Sequence, residues 1–120
     1  MAKVTGLGGI FTKVADSAAT RAWYKEILGV GGDWGAMFAF KDDSPDGFSL
    51  LTPFAADSDK FAPSALPFMI NLRVDDLDAM VAELEAKGIA ILDRQADEYG
   101  KFAWVMDPDG VKLELYEQAA

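Results

Sequence analysis

The chain contains neither cysteine nor histidine. Without cysteine there are no disulfides, thiolate nucleophiles or sulfur-ligated metals. Without histidine the commonest metal ligand is missing, and so is the side chain best suited to moving protons near neutral pH. Basic residues are also scarce: 11 Lys and Arg face 20 Asp and Glu, for a net charge of -9. Phosphate recognition needs clustered cations, so nucleic acid is not an expected partner. The uninterrupted apolar runs are a few residues long, far short of the ~20 that cross a bilayer. The N-terminus shows no basic start followed by an apolar core. No membrane association is expected, and the expected location is cytoplasmic.

What is present is a globular composition, 51% apolar and 12% aromatic, in a chain of a length that can bury roughly two thirds of its unfolded surface. The acidic balance serves solubility first, and where it selects a ligand it favours a cationic one.

The sequence repeats itself weakly. Ile10 to Asp16 lies over Ile70 to Asp76 at an offset of 60, and Ala19 and Ala22 continue over Ala79 and Ala82. The offset then slips by one, so that Gly29 meets Gly88, and Pro45-Asp46-Gly47 matches Pro108-Asp109-Gly110. Each half opens with a β-rich stretch, Ile10 to Val14 and Phe68 to Val74, that runs into an aspartate suited to capping a helix. In the second half Leu77, Met80, Val81 and Leu84 fall at i, i+3, i+4 and i+7, one apolar stripe, and Gly88 supplies a left-handed stop. In the first, Ala19, Ala22, Trp23 and Ile27 precede Gly29 in a similar way, with Tyr24 and Leu28 widening the apolar face. Three strands are predicted after each helix: near Val30 to Trp34, Ala36 to Lys41 and Gly47 to Pro53, then Ile89 to Arg94, Lys101 to Met106 and Val111 to Glu117. The Pro-Asp-Gly tripeptides read as turns joining the last two strands of each half. Each half is thus a βαβββ unit, with module 1 over about 1–54, a linker over about 55–67 and module 2 over about 68–120. Units of this size are marginal alone, so residues 1–120 are expected to form a single domain.

These features resemble the vicinal oxygen chelate superfamily (glyoxalase, bleomycin resistance protein, dioxygenase). The matching stretches are Phe11 to Gly29, Ile70 to Gly88 and, most specifically, the closing Asp107-Pro108-Asp109-Gly110 hairpin with Glu114-Leu115. The resemblance implies an α+β fold in which paired βαβββ modules form a half-open, curved, mixed sheet around a cavity. It also implies metal ligands on the first and last strands of each module. Those positions fall here on Gly9, Met69, Leu51 (or Ser49, two residues earlier) and Glu114. Only Glu114 carries a donor suited to hard or borderline divalent ions, and one carboxylate does not make such a site. No metal and no other cofactor are therefore expected, and the family's metal-dependent glyoxalase and dioxygenase activities are the least favoured reading.

Strand alternation puts Gly9, Phe11 and Lys13 on one face, Met69, Asn71 and Arg73 on another, and Lys112, Glu114 and Tyr116 on a third. By resemblance these faces line the cavity, where Glu114 is expected to pair with Lys13 or Arg73. Trp34, Phe38, Phe40, Phe48, Phe54, Phe68, Phe102, Trp104 and Tyr116 supply aromatics; most are needed for the core, Trp34 and Phe54 lie near strand ends and suit a pocket rim, and Trp104 can face either way. The expected ligand-binding set is Phe11, Lys13, Trp34, Phe54, Asn71, Arg73, Trp104, Glu114 and Tyr116. The favoured function is metal-free binding of a small, partly aromatic or cationic molecule. The alternative is a metal-independent lyase or isomerase with Glu114 as base and Lys13 or Arg73 stabilising an anion; a purely structural role is a third. The resemblance further implies a homodimer.

Overall fold

A computed structural model describes residues 1–120. The element order is α1 (Ser17–Trp23), a π-helical turn (Tyr24–Leu28), a 3-10 turn (Phe40–Asp42), β1 (Met69–Arg73), α2 (Leu77–Ala86), β2 (Asp93–Asp97), β3 (Gly100–Met106) and β4 (Lys112–Gln118). The fold is α+β. No helix is long and apolar enough to cross a membrane.

The repeat signals mark both helices. Asp16 and Asp76 sit at their N-caps in extended conformation, and each carboxylate accepts from the backbone N–H three residues on, that of Ala19 and that of Ala79. Gly29 (φ 72°) and Gly88 (φ 78°) end them in the left-handed region where a side chain is strained.

The strands form one open mixed sheet in the order β1-β4-β3-β2. β1 runs parallel to β4, and the other two pairings are antiparallel. β3 and β4 are joined at Asp107-Pro108-Asp109-Gly110, where Asp107 exchanges backbone bonds with Val111 and Gly110 and its carboxylate caps the N–H groups of Asp109 and Val111. At the other end of this hairpin Gly100 (φ 144°) lies so close to β4 that a Cβ would collide with the Glu117 carbonyl oxygen.

Both helices cover one face of the sheet. Leu77, Val81 and Leu84 of α2 pack on Ala103, Val105, Leu113 and Leu115, and Leu28 joins them from the first helical segment. That segment is also tied to the closing turn: Tyr24 Oη donates to Asp107 Oδ2 at 2.6 Å, and Thr20 Oγ1 to Asp109 Oδ2 at 2.6 Å. Burial, followed by the neighbouring Asp107 and Asp109 carboxylates, raises the Tyr24 pKa well above the ordinary tyrosine value.

The first half departs from the sequence expectation. None of the four strands predicted between residues 10 and 53 forms a ladder, and the second-half strand predicted at 89–94 forms at Asp93–Asp97 instead. Alternation is only a propensity until a neighbour accepts the backbone bonds. The second module pairs its strands among themselves, and the apolar stretches of the first add to neither free edge of that sheet, at β1 or at β2. Their side chains stay in the open: Phe11 is 95% exposed and Trp34 74%, and every large exposed apolar residue except Leu92 and Tyr99 lies in residues 1–54.

Candidate functional site

The sheet face turned away from the helices carries the outward side chains of three adjacent strands. In β4, Lys112, Glu114, Tyr116 and Gln118 alternate with the buried Leu113 and Leu115. The ladder register sets Asn71 beside Glu114 and Arg73 beside Tyr116 on the β1 side, with Phe102 beside Tyr116 and Trp104 beside Glu114 on the β3 side.

The result is an aromatic row next to a fixed carboxylate. The Phe102 and Trp104 rings stack at 6.0 Å and 11°, and Phe102 and Tyr116 at 5.0 Å and 23°. Lys112 Nζ stands 5.7 Å from the Trp104 centroid and donates to the Lys60 carbonyl. Asn71 Nδ2 donates to Glu114 Oε1 at 2.7 Å, and Trp104 Nε1 to Glu114 Oε2 at 2.9 Å. Both partners are uncharged, and Glu114 forms no ion pair with a Lys or Arg.

The expected Glu114 ion pair is thus replaced by two neutral donors. Arg73 lies one pleat further along β1, roughly 6–7 Å from the level of Asn71, and forms a bidentate pair with Asp43 while donating to the Phe48 carbonyl at 2.5 Å. That bonding holds the Asp43 carboxyl below its usual range and raises the Arg73 guanidinium. Lys13 lies elsewhere. With Phe11 it lines a separate hollow of about 310 Å³ against Phe68, Asp109 and Val111.

Of the residues expected to bind ligand, Asn71, Arg73, Trp104, Glu114 and Tyr116 share this face. Phe11 and Lys13 do not reach it, Trp34 is solvent-exposed, and Phe54 packs on Phe61 at 5.1 Å. Phe102 was one of several aromatic candidates, and its place two residues before Trp104 on one strand is the period-2 signal that singles it out. The same signal, two residues after Tyr116, points to Gln118. Asp43 has no such signal, because only the tertiary path brings it to Arg73.

The family's metal does not fit these residues. Gly9 and Leu51 offer no side-chain donor, Met69 offers a soft thioether, and Glu114 has both oxygens engaged by Asn71 and Trp104. No three Asp or Glu side chains converge in a ligating group anywhere in the chain.

Comparison with known proteins agrees with this architecture. The chain is 32% identical to the uncharacterised protein YaeR of Escherichia coli (strain K12) over 114 residues, covering 86% of this chain and 88% of that one. TnmS3, an antibiotic binding protein from Streptomyces sp. CB03234, superposes with a TM-score of 0.64 at 25% identity over 99% of this chain and all of that one. A protein from the mobile metagenome of V. Pseudocholerae, VPC_CASS1, shares the fold with a TM-score of 0.61 at 18% identity, over 100% and 99% of the two chains. The sequence matches the family model over residues 7–115, and the chain belongs to the Glyoxalase/Bleomycin resistance protein/Dioxygenase superfamily.

Proposed function

We propose that this protein binds, without a metal, a small planar molecule bearing positive charge on the open face of its sheet. The observation that carries this reading is the Phe102-Trp104-Tyr116 row beside a Glu114 carboxylate that is held by neutral donors and forms no ion pair. Stacking on the rings is sequestration chemistry: it holds a flat ligand by area and by its charge over the π faces, and requires no reacting group. The net charge of -9 draws cations to the surface. The likeness to TnmS3, described as an antibiotic binding protein, supports binding as the role. The lyase or isomerase reading is less favoured, because both Glu114 oxygens already accept hydrogen bonds and Lys13 and Arg73 are directed elsewhere.

The test is a titration of tryptophan fluorescence with proflavine, a planar cation, and with anthracene-2-sulfonate, an anion of similar area. Saturable binding of proflavine that falls about tenfold in Glu114→Gln and disappears in Trp104→Ala is expected, since one interaction with a charged group is worth on the order of 1.5 kcal/mol. Equal affinity for the anion would defeat the proposal. The metal-free reading has its own check: purified protein should carry no stoichiometric metal, and a chelator should leave the melting temperature unchanged, because a metal bound to the native state would stabilise it.

We also propose that the working unit is a homodimer, in which a second copy covers the apolar side chains that residues 1–54 leave open. Light scattering should then report twice the 13.0 kDa chain mass.

A further inference from the structure

We propose that a second site, separate from the aromatic row, lies between the 38–46 segment and the C-terminal ends of β1 and β4, and takes an organic cation with an apolar body and at least one ammonium N–H. The cleft has a volume of about 640 Å³, within the range of small-molecule sites. Neither Trp104 nor Glu114 lines it.

Three features define the ligand. The inner wall is apolar, made by Leu72, Val74, Met80 and Leu115, so the body of the ligand is apolar. The rim is acidic. Asp42, Asp46 and Asp75 have no salt-bridge partner, and Arg73, the single basic residue of the lining, is committed to Asp43. The uncompensated rim charge selects a cation.

The third feature is independent of charge. Gln118 lines the cleft, and its Oε1 is buried without a hydrogen-bond partner, the one such side-chain atom in the molecule. Its orientation is fixed, because Nε2 donates to the Asp46 carbonyl at 3.2 Å and the reversed amide would set two oxygens against each other. A buried acceptor is costly until a donor reaches it. An ammonium N–H supplies that donor and meets the acidic rim at once, whereas a quaternary ammonium meets only the rim.

The experiment titrates 2-phenylethylammonium, its N,N,N-trimethyl derivative and 2-phenylethanol into the full chain, following the Met80 methyl and the Trp104 indole N–H by NMR. The primary ammonium should shift Met80 with an affinity about fivefold above the trimethyl compound, the worth of one hydrogen bond, and further above the alcohol. Gln118→Leu should erase the preference between the two cations. Asp46→Asn/Asp75→Asn, both exposed positions, should bring both cations toward the alcohol. Equal binding of all three probes, or a Met80 signal that none of them moves, overturns the proposal. The Trp104 signal reports the aromatic face separately, so failure at one site is read independently of failure at the other.

Discussion

The two halves of this molecule carry the same plan and reach different outcomes. Residues 68–120 complete a βαβββ unit whose sheet buries Ala103, Val105, Leu113 and Leu115 beneath α2. Residues 1–67 contribute the helical segment 17–28, a short 3-10 turn and a single buried core side chain, Leu28. The difference lies in pairing. Every strand of the second half finds a neighbour within about fifty residues, while the extended stretches of the first half lie against no open ladder. A strand pattern thus becomes a strand only where another stretch is brought into register beside it.

The largest expected effect tests the asymmetry directly. Leu84→Ala and Leu113→Ala, at fully buried sites, should each cost about 2–5 kcal/mol in chemical denaturation. Phe11→Ala in dilute protein should cost less than about 0.5 kcal/mol. A Phe11→Ala cost that grows with protein concentration would mark a second copy packing on the first half.

The contact between the halves comes next. Asp107 is buried and receives Tyr24 Oη together with the backbone N–H groups of Asp109 and Val111. Asp107→Ala strands all three donors and should cost about 3 kcal/mol by thermal melting. Tyr24→Phe removes a single bond and should cost about 1 kcal/mol at neutral pH. Its pH dependence has a definite sign. The folded protein holds Tyr24 protonated above its ordinary pKa, whereas the unfolded chain ionises near 10. The stability from this hydroxyl is therefore complete below about pH 10 and erodes as pH rises further. The gap between wild type and Tyr24→Phe should narrow over that range, and a gap that widens would contradict the buried hydroxyl.

A smaller effect compares the two caps. Asp76→Ala and Asp16→Ala should each cost about 1 kcal/mol, because each carboxylate accepts from one backbone N–H of the first turn it caps. The smallest concerns the pair that ties the first half to the sheet. Arg73→Met should cost under about 1 kcal/mol, since that pair is partly solvated.

Local chemistry made much of the second half legible: the Asp76 cap, the Leu77/Val81/Leu84 stripe, the Gly88 stop and the Asp107-Pro108-Asp109-Gly110 turn all sit where the residues place them. Alternation likewise put Asn71 and Arg73, and Lys112, Glu114 and Tyr116, on shared faces. Pairing across strands was not legible. Whether Asn71 or Arg73 meets Glu114 depends on the β1–β4 register, which residue types alone do not fix. The Arg73–Asp43 and Gln118–Asp46 contacts join residues 30 and 72 positions apart through an irregular path that carries no periodic signal.

The π-helical turn at Tyr24–Leu28 has a history written into its spacing. Both helices start at a capping aspartate and end at a left-handed glycine, but thirteen positions separate Asp16 from Gly29 and twelve separate Asp76 from Gly88. A one-residue indel in a duplicated ancestor would account for both the slip in the repeat and the widened turn, the extra residue being absorbed in the coil of the first helix. The extra residue leaves the left-handed glycine in place at the helix end and rotates the face that follows. Tyr24 and Leu28 come from that turn, one bonded to Asp107 and the other in the core. If the halves descend from one duplicated ancestor, this indel gave the first copy its own means of gripping the second, and removing one residue from it would return the helix to the second copy's length while turning that grip away.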